Sequence, residues 1–84
     1  MPPLPLAADH WQAIVAVMKL SPRQAEVAAL VARGAQLKDI ATLLEISIPT
    51  VRTQLERTLR KTGARNRAEL LLRILDVSHR VDTR

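Results

Sequence analysis

Eighty-four residues with a net charge of +5 and no cysteine set narrow bounds. A chain of this length forms one domain with a modest core, burying only roughly 60–65% of its unfolded surface. The missing cysteines exclude disulfides and thiolate metal sites, two histidines far apart in the sequence, His10 and His79, argue against a structural zinc site, and no run approaches the roughly 20 apolar residues of a membrane span.

Residues 1–8 contain Pro2, Pro3 and Pro5 and are expected to be an extended linker or disordered N-terminus. Asp9 fits an N-cap, with Gln12 three residues later, and Trp11, Ile14, Val15 and Met18 recur at i, i+3, i+4, i+7. This spacing predicts an N-terminal amphipathic helix within 9–19, with Trp11 as a core or docking residue. Ser21-Pro22-Arg23-Gln24 is a strong helix start: serine caps, proline fits the first helical position and glutamine completes a capping box. The helix runs over 22–33 with Val27, Leu30 and Val31 inward, and Gly34 suits its left-handed C-terminal cap.

The stretch from Leu37 to Lys61 carries two helical patterns around a tight corner. Leu37, Ile40, Ala41 and Leu44 define a helix over 36–44, weakly started because Gln36 is a poor N-cap. Glu45 occupies the corner. A left-handed backbone there would cost on the order of 1 kcal/mol relative to glycine. Ser47 caps a helix over 48–62, with Pro49 in its first turn and Gly63 at its end. Ile48, Val51, Leu55, Leu59 and Thr62 cluster on one side of that helix. Pro49, Thr53, Glu56, Arg57 and Arg60 lie opposite, with Arg52 and Lys61 on the flanks. Asn66 caps the last helix, with Glu69 at the capping-box position. Leu70, Leu71, Ile74 and Val77 form its core face, leaving Leu72 pointing away and Leu75 at the margin. That surplus apolar surface fits either a second copy of the chain or the N-terminal helix of the same chain. Residues 78–84 are polar and are expected to fray.

Charge is unevenly distributed. Residues 1–46 carry Lys19, Arg23, Arg33 and Lys38 against Asp9, Glu26, Asp39 and Glu45, so the whole +5 excess lies in residues 47–84. A polyanion contacted by the C-terminal half is the matching partner. Trp11 is the only aromatic residue and lies far from the basic region. Single-strand binders stack bases on aromatic side chains, so double-stranded DNA is favoured.

A short helix pair of this kind is a helix-turn-helix, which presents its second helix to the major groove. Arg52 can bond guanine at O6 and N7. Thr53 can offer a methyl to thymine or a hydroxyl to a base edge. Glu56 can accept from a cytosine amino group, or hold Arg52 or Arg60 by an i, i+4 contact. Arg57, Arg60 and Lys61 suit phosphates, as do the hydroxyls of Ser47 and Thr50 at the helix start. No spacing of acids, histidines and serines marks a catalytic site, and no cofactor, metal or small-molecule ligand is called for.

Leu20 to Val27, Gly34, Lys38 to Ala41, Leu44, Ile46-Ser47, Thr50 to Arg52, and Lys61 to Leu70 together resemble the LuxR/FixJ/NarL-type DNA-binding domain, without a gap over about residues 20–75. The resemblance implies an all-α, four-helix helix-turn-helix domain (a tri-helical core plus a C-terminal helix) at 20–77, here with an extra N-terminal helix. It implies transcription regulation, base contacts from Arg52, Thr53 and Glu56, and phosphate contacts near Ser47, Thr50 and Lys61; the expected location, the cytoplasm, follows instead from an N-terminus without a signal-peptide pattern and from the lack of a membrane span. It further implies a homodimer joined through the last helix, where Leu72 and Leu75 stand out, and RNA polymerase as a further partner. Gln24, Gln36, Gln54 and Thr62 depart from residues common in that family. Glu56 replaces a frequently polar or basic contact, so a target sequence cannot be borrowed from a relative. Promoter binding in the manner of sigma-factor region 4 shares the helix-turn-helix pattern, although the capped final helix after Arg65-Asn66-Arg67 fits the LuxR type better. A helical protein-interaction module that has lost DNA binding is the reading from another class.

Overall fold

The computed structural model describes residues 8–82, so most of the segment expected to be a linker lies outside the described residues. The fold is all-α: α1 Ala8–Met18, α2 Pro22–Ala32, α3 Leu37–Leu44, α4 Ile48–Thr62 and α5 Arg67–Asp82, with no strand among the described residues. None of these helices is long and apolar enough to cross a membrane. The central element is α4, which packs against α2, α3 and α5. The first helix, α1, lies on α5. The common core comprises Ile14, Val27, Ile40, Val51, Leu70 and Ile74, all essentially solvent-free, with Leu20, Ala28, Val31, Leu55 and Val77 around them.

The helix starts follow the polar residues that flank them. At α2 the Ser21 amide donates to Gln24 Oε1 at 3.0 Å and the Gln24 amide donates to Ser21 Oγ at 3.2 Å, a complete capping box. At α4 the Thr50 amide donates to Ser47 Oγ at 3.2 Å. The start of α3 is weak, as its sequence implies: the Gln36 amide donates to Asp39 Oδ2 at 3.4 Å. At α5 the Glu69 amide donates to Asn66 Oδ1 at 2.9 Å. The Glu69 carboxylate, however, reaches past the capping position. It accepts from the Arg65 amide at 2.9 Å and from Arg65 Nε at 3.0 Å, because the guanidinium draws it there.

Four helices end in the same way, with a left-handed residue and a 6→1 hydrogen bond beyond it. The donors are the amides of Leu20, Ala35, Ile46 and Ala64, at 2.9 to 3.1 Å from the carbonyls of Val15, Leu30, Ala41 and Leu59. Two of the left-handed residues are glycines, Gly34 and Gly63. The other two are Lys19, with φ of 57°, and Glu45, with φ of 55°. The strained glutamate at the corner is therefore present, and Lys19 is a second such position that carried no signal in the sequence.

Several expectations are corrected. α1 starts at Ala8, so Asp9 lies in its first turn rather than at its cap. Ile48 is 41% exposed rather than held down, because it is the first helical residue of α4 and extends beyond the buried seam. Thr58 takes a fully buried place instead, one turn beyond Leu55. Its hydroxyl donates to the Gln54 carbonyl at 2.8 Å and so carries no unmet polar group into the core. Within α2, Leu30 is half-buried and the small Ala28 is solvent-free. α5 does not fray after Val77 but stays helical to Asp82. His10 Nε2 and Ser78 Oγ bond at 2.8 Å, Arg80 pairs with Asp76, and Val81 packs against the core.

Replacing Glu45 by glycine should relieve about 1 kcal/mol of backbone strain, read as a rise of about 4–8 °C in Tm by circular dichroism. An unchanged Tm would remove the strain argument. The hydrogen bonds and charge of Arg65 hold the Glu69 carboxyl below its ordinary range. A depressed value means that its contribution is full above about pH 4.3, the unfolded value, and is lost as pH falls through the lower folded value. Glu69→Gln should therefore lower Tm at neutral pH, with the gap to wild type closing only in acid below that range. A gap independent of pH would remove the charge from the account.

Candidate nucleic-acid interface

Side chains 100° apart along α4 sort into two faces. Val51, Leu55 and Thr58 are buried, with Gln54, Leu59 and Thr62 half-buried beside them. The remaining residues of the helix are exposed. Pro49, Thr53, Glu56 and Arg60 run along the middle of that outer face, Arg52 lies at one edge, and Arg57 and Lys61 lie at the other. The three candidate base readers and the five candidate phosphate anchors thus share one exposed surface that starts at the α3–α4 corner.

The helix start is organised by hydroxyls. Ser47 Oγ accepts from the Thr50 amide and lies 2.8 Å from Thr50 Oγ1. One hydroxyl donates to the other, which leaves one of the two hydrogens available to an outside acceptor. Pro49 has no amide hydrogen and that of Thr50 is already used, so these hydroxyls replace much of the donor capacity of a helix N-terminus. Thr53 turns its own hydroxyl back onto the Pro49 carbonyl at 3.1 Å. That bond uses the hydroxyl hydrogen, so an exposed methyl and the oxygen's acceptor capacity remain for an outside group.

The charged groups on α4 are unpaired. Among the described residues the ion pairs are Arg23–Glu26, Arg65–Glu69 and Arg80–Asp76, and none involves α4. Glu56 therefore holds neither Arg52 nor Arg60 in the way its spacing allows. Lys61 Nζ makes one long contact, 3.5 Å to Gln24 Oε1 on α2, which orients the ammonium group without neutralising it.

The candidate dimerisation residues stand apart from this surface, on α5. Leu72 is 65% and Leu75 52% exposed. α1 packs on α5 without covering either, so it does not bury the surplus patch. Sequence reasoning did not bring Lys19, Arg73 and Arg80 near Lys61, although all four line one groove. Arg73 and Arg80 reach Lys61 through the packing of α5 on α4, and Lys19 joins them through the docking of α1; periodicity carries no information on either contact.

A family model described as bacterial regulatory proteins of the luxR family matches residues 18–74. Comparison with curated proteins and with solved structures gave no match. Residues 18–74 span the buried seam, the corner, α4 and its unpaired cations, and the first half of α5. The chain therefore belongs to the luxR family of bacterial regulatory proteins, whose helix-turn-helix domain binds DNA to regulate transcription.

Proposed function

We propose that the chain binds duplex DNA with sequence preference, α4 lying in the major groove, and that it does so as a homodimer in the cytoplasm. The observation that carries this reading is the outer face of α4: four unpaired cations around Thr53 and Glu56, on a helix whose opposite face is buried. Arg52, Thr53 and Glu56 read bases. Arg52 is long enough to bond both acceptors of a guanine, the Thr53 methyl meets thymine, and the free Glu56 carboxylate accepts from a cytosine amino group. Ser47, Thr50, Arg57, Arg60 and Lys61 hold phosphates and fix the register. Leu72 and Leu75 form the dimer contact, since their exposed patch survives the docking of α1. RNA polymerase is the further partner through which a bound regulator acts on transcription.

Selection of bound duplexes from a random pool tests groove reading and dimer symmetry together. The expected outcome is two related half-sites about one helical turn apart, whereas a pool without enrichment would overturn the reading. Binding should weaken with a log–log salt slope of about −4 to −9, from on the order of five to ten neutralised phosphates. A flat salt response would exclude the phosphate anchors. Arg52→Ala should cost roughly 1–3 kcal/mol on the selected site and relax preference at one base pair. Equal weakening on selected and random duplexes would move Arg52 from the base readers to the phosphate anchors.

A further inference from the structure

We propose that a second cationic surface, completed by the docking of α1, holds the phosphate backbone of the same duplex beyond the stretch read by α4. The proposal rests on the DNA-binding reading above. A groove of about 280 Å³ is formed by residues at the C-terminal ends of α1 and α4 and along α5. Its lining includes Lys19, Lys61, Arg73 and Arg80, with Asp76 as the single carboxylate, giving a net charge of +3. Asp76 is already engaged by Arg80. A concave surface of one sign concentrates its field and attracts a polyanion more strongly than scattered surface charges do.

Two features connect this groove to the DNA-reading face. Lys61 belongs to both: it follows Arg57 by one turn on the same edge of α4, so the groove continues that cationic edge. Lys61 is also nine residues from Arg52, about 13 Å along a helix rising 1.5 Å per residue. Nine residues at about 100° each also turn the helix by a half revolution, so the two cations stand at opposite edges of the exposed face. With the middle of that face toward the base edges, Lys61 and the groove beyond it therefore lie on the side of a backbone wall.

Structural duties explain only part of the cluster. Arg73 donates to the Gly63 carbonyl at 3.2 Å and so closes the end of α4. Lys19 has no comparable duty. It is exposed, and among the described residues no hydrogen bond or ion pair engages its ammonium group. It sits in a left-handed conformation that glycine or asparagine adopts with less strain. A long cation held at a strained position beside three others has a purpose if it meets a phosphate.

Lys19→Asn removes the charge while easing the backbone, and Lys19→Gly repeats the loss with a second residue suited to that conformation. Thermal unfolding confirms that each variant is folded. Binding to a random-sequence duplex of roughly 30 base pairs, three helical turns, is then followed by fluorescence anisotropy across a salt series. Each variant loses one contact per subunit, two in the dimer, so it should bind about 30- to 100-fold more weakly near 0.1 M salt, with a salt slope shallower by about two and an unchanged affinity ratio between the selected and random duplexes. Wild-type affinity and slope in both variants would overturn the groove and leave the α4 reading standing. Weaker binding with an unchanged slope would overturn it as well. A wild-type protein that binds no duplex would overturn both proposals together.

Discussion

Everything the domain offers to a nucleic acid depends on one buried seam along α4. Isolated helices of about 15 residues are marginal in water, and α4 is a poor candidate by composition. It contains four threonines at Thr50, Thr53, Thr58 and Thr62, and a proline at Pro49, none of them favourable in a helix interior. What holds it is the burial of Val51 and Leu55, each worth about 1.5–3 kcal/mol, against three neighbouring helices. Three of the threonines fold their hydroxyls back onto carbonyls one turn earlier, Thr53 to Pro49, Thr58 to Gln54 and Thr62 to Thr58. At Thr58 this arrangement makes a polar side chain compatible with the core. At Thr53 it leaves an exposed methyl and the oxygen's acceptor capacity for an outside group.

Electrostatics divides the molecule in a complementary way. The carboxylates that form ion pairs are Glu26, Glu69 and Asp76, on α2 and α5. On α4, four cations and Glu56 remain unengaged by one another. Exposed pairs add little to stability, so their main effect is on the potential: Arg80 and Arg65 are offset by carboxylates of α5, whereas the cations of α4 and Arg73 carry no such partner among the described residues. Glu56 is the exception on that face. It is the one carboxylate of α4 and lies on the same exposed face as the cations without an ion pair to any of them.

Much of this was legible in the sequence because it is local. Ser21 with Gln24, Ser47 with Thr50, and Gly34 and Gly63 mark helix ends through hydrogen bonds that span only a few residues, and the two hydrophobic patterns around Glu45 fix the corner. The candidate readers could be placed on one face of α4 because helical spacing alone determines that. What stayed hidden depends on distant partners. Ile48 has the right spacing to be buried, but no element lies over the first residue of α4. Thr58 looked polar until its back-bond was visible. The left-handed turn at Lys19 and the extension of α5 past Val77 both follow from the docking of α1, a contact between residues far apart in the chain.

The bond between His10 and Ser78 joins positions 68 residues apart and brings the start of α1 beside the last turns of α5. The described part of the chain thus begins and ends at one corner, and α4 is held between helices on its other sides. A force or a motion applied at either end of the described residues enters by the same pair of helices, α1 and α5. It can swing or reposition the reading face as a whole, without bending the corner that aims it.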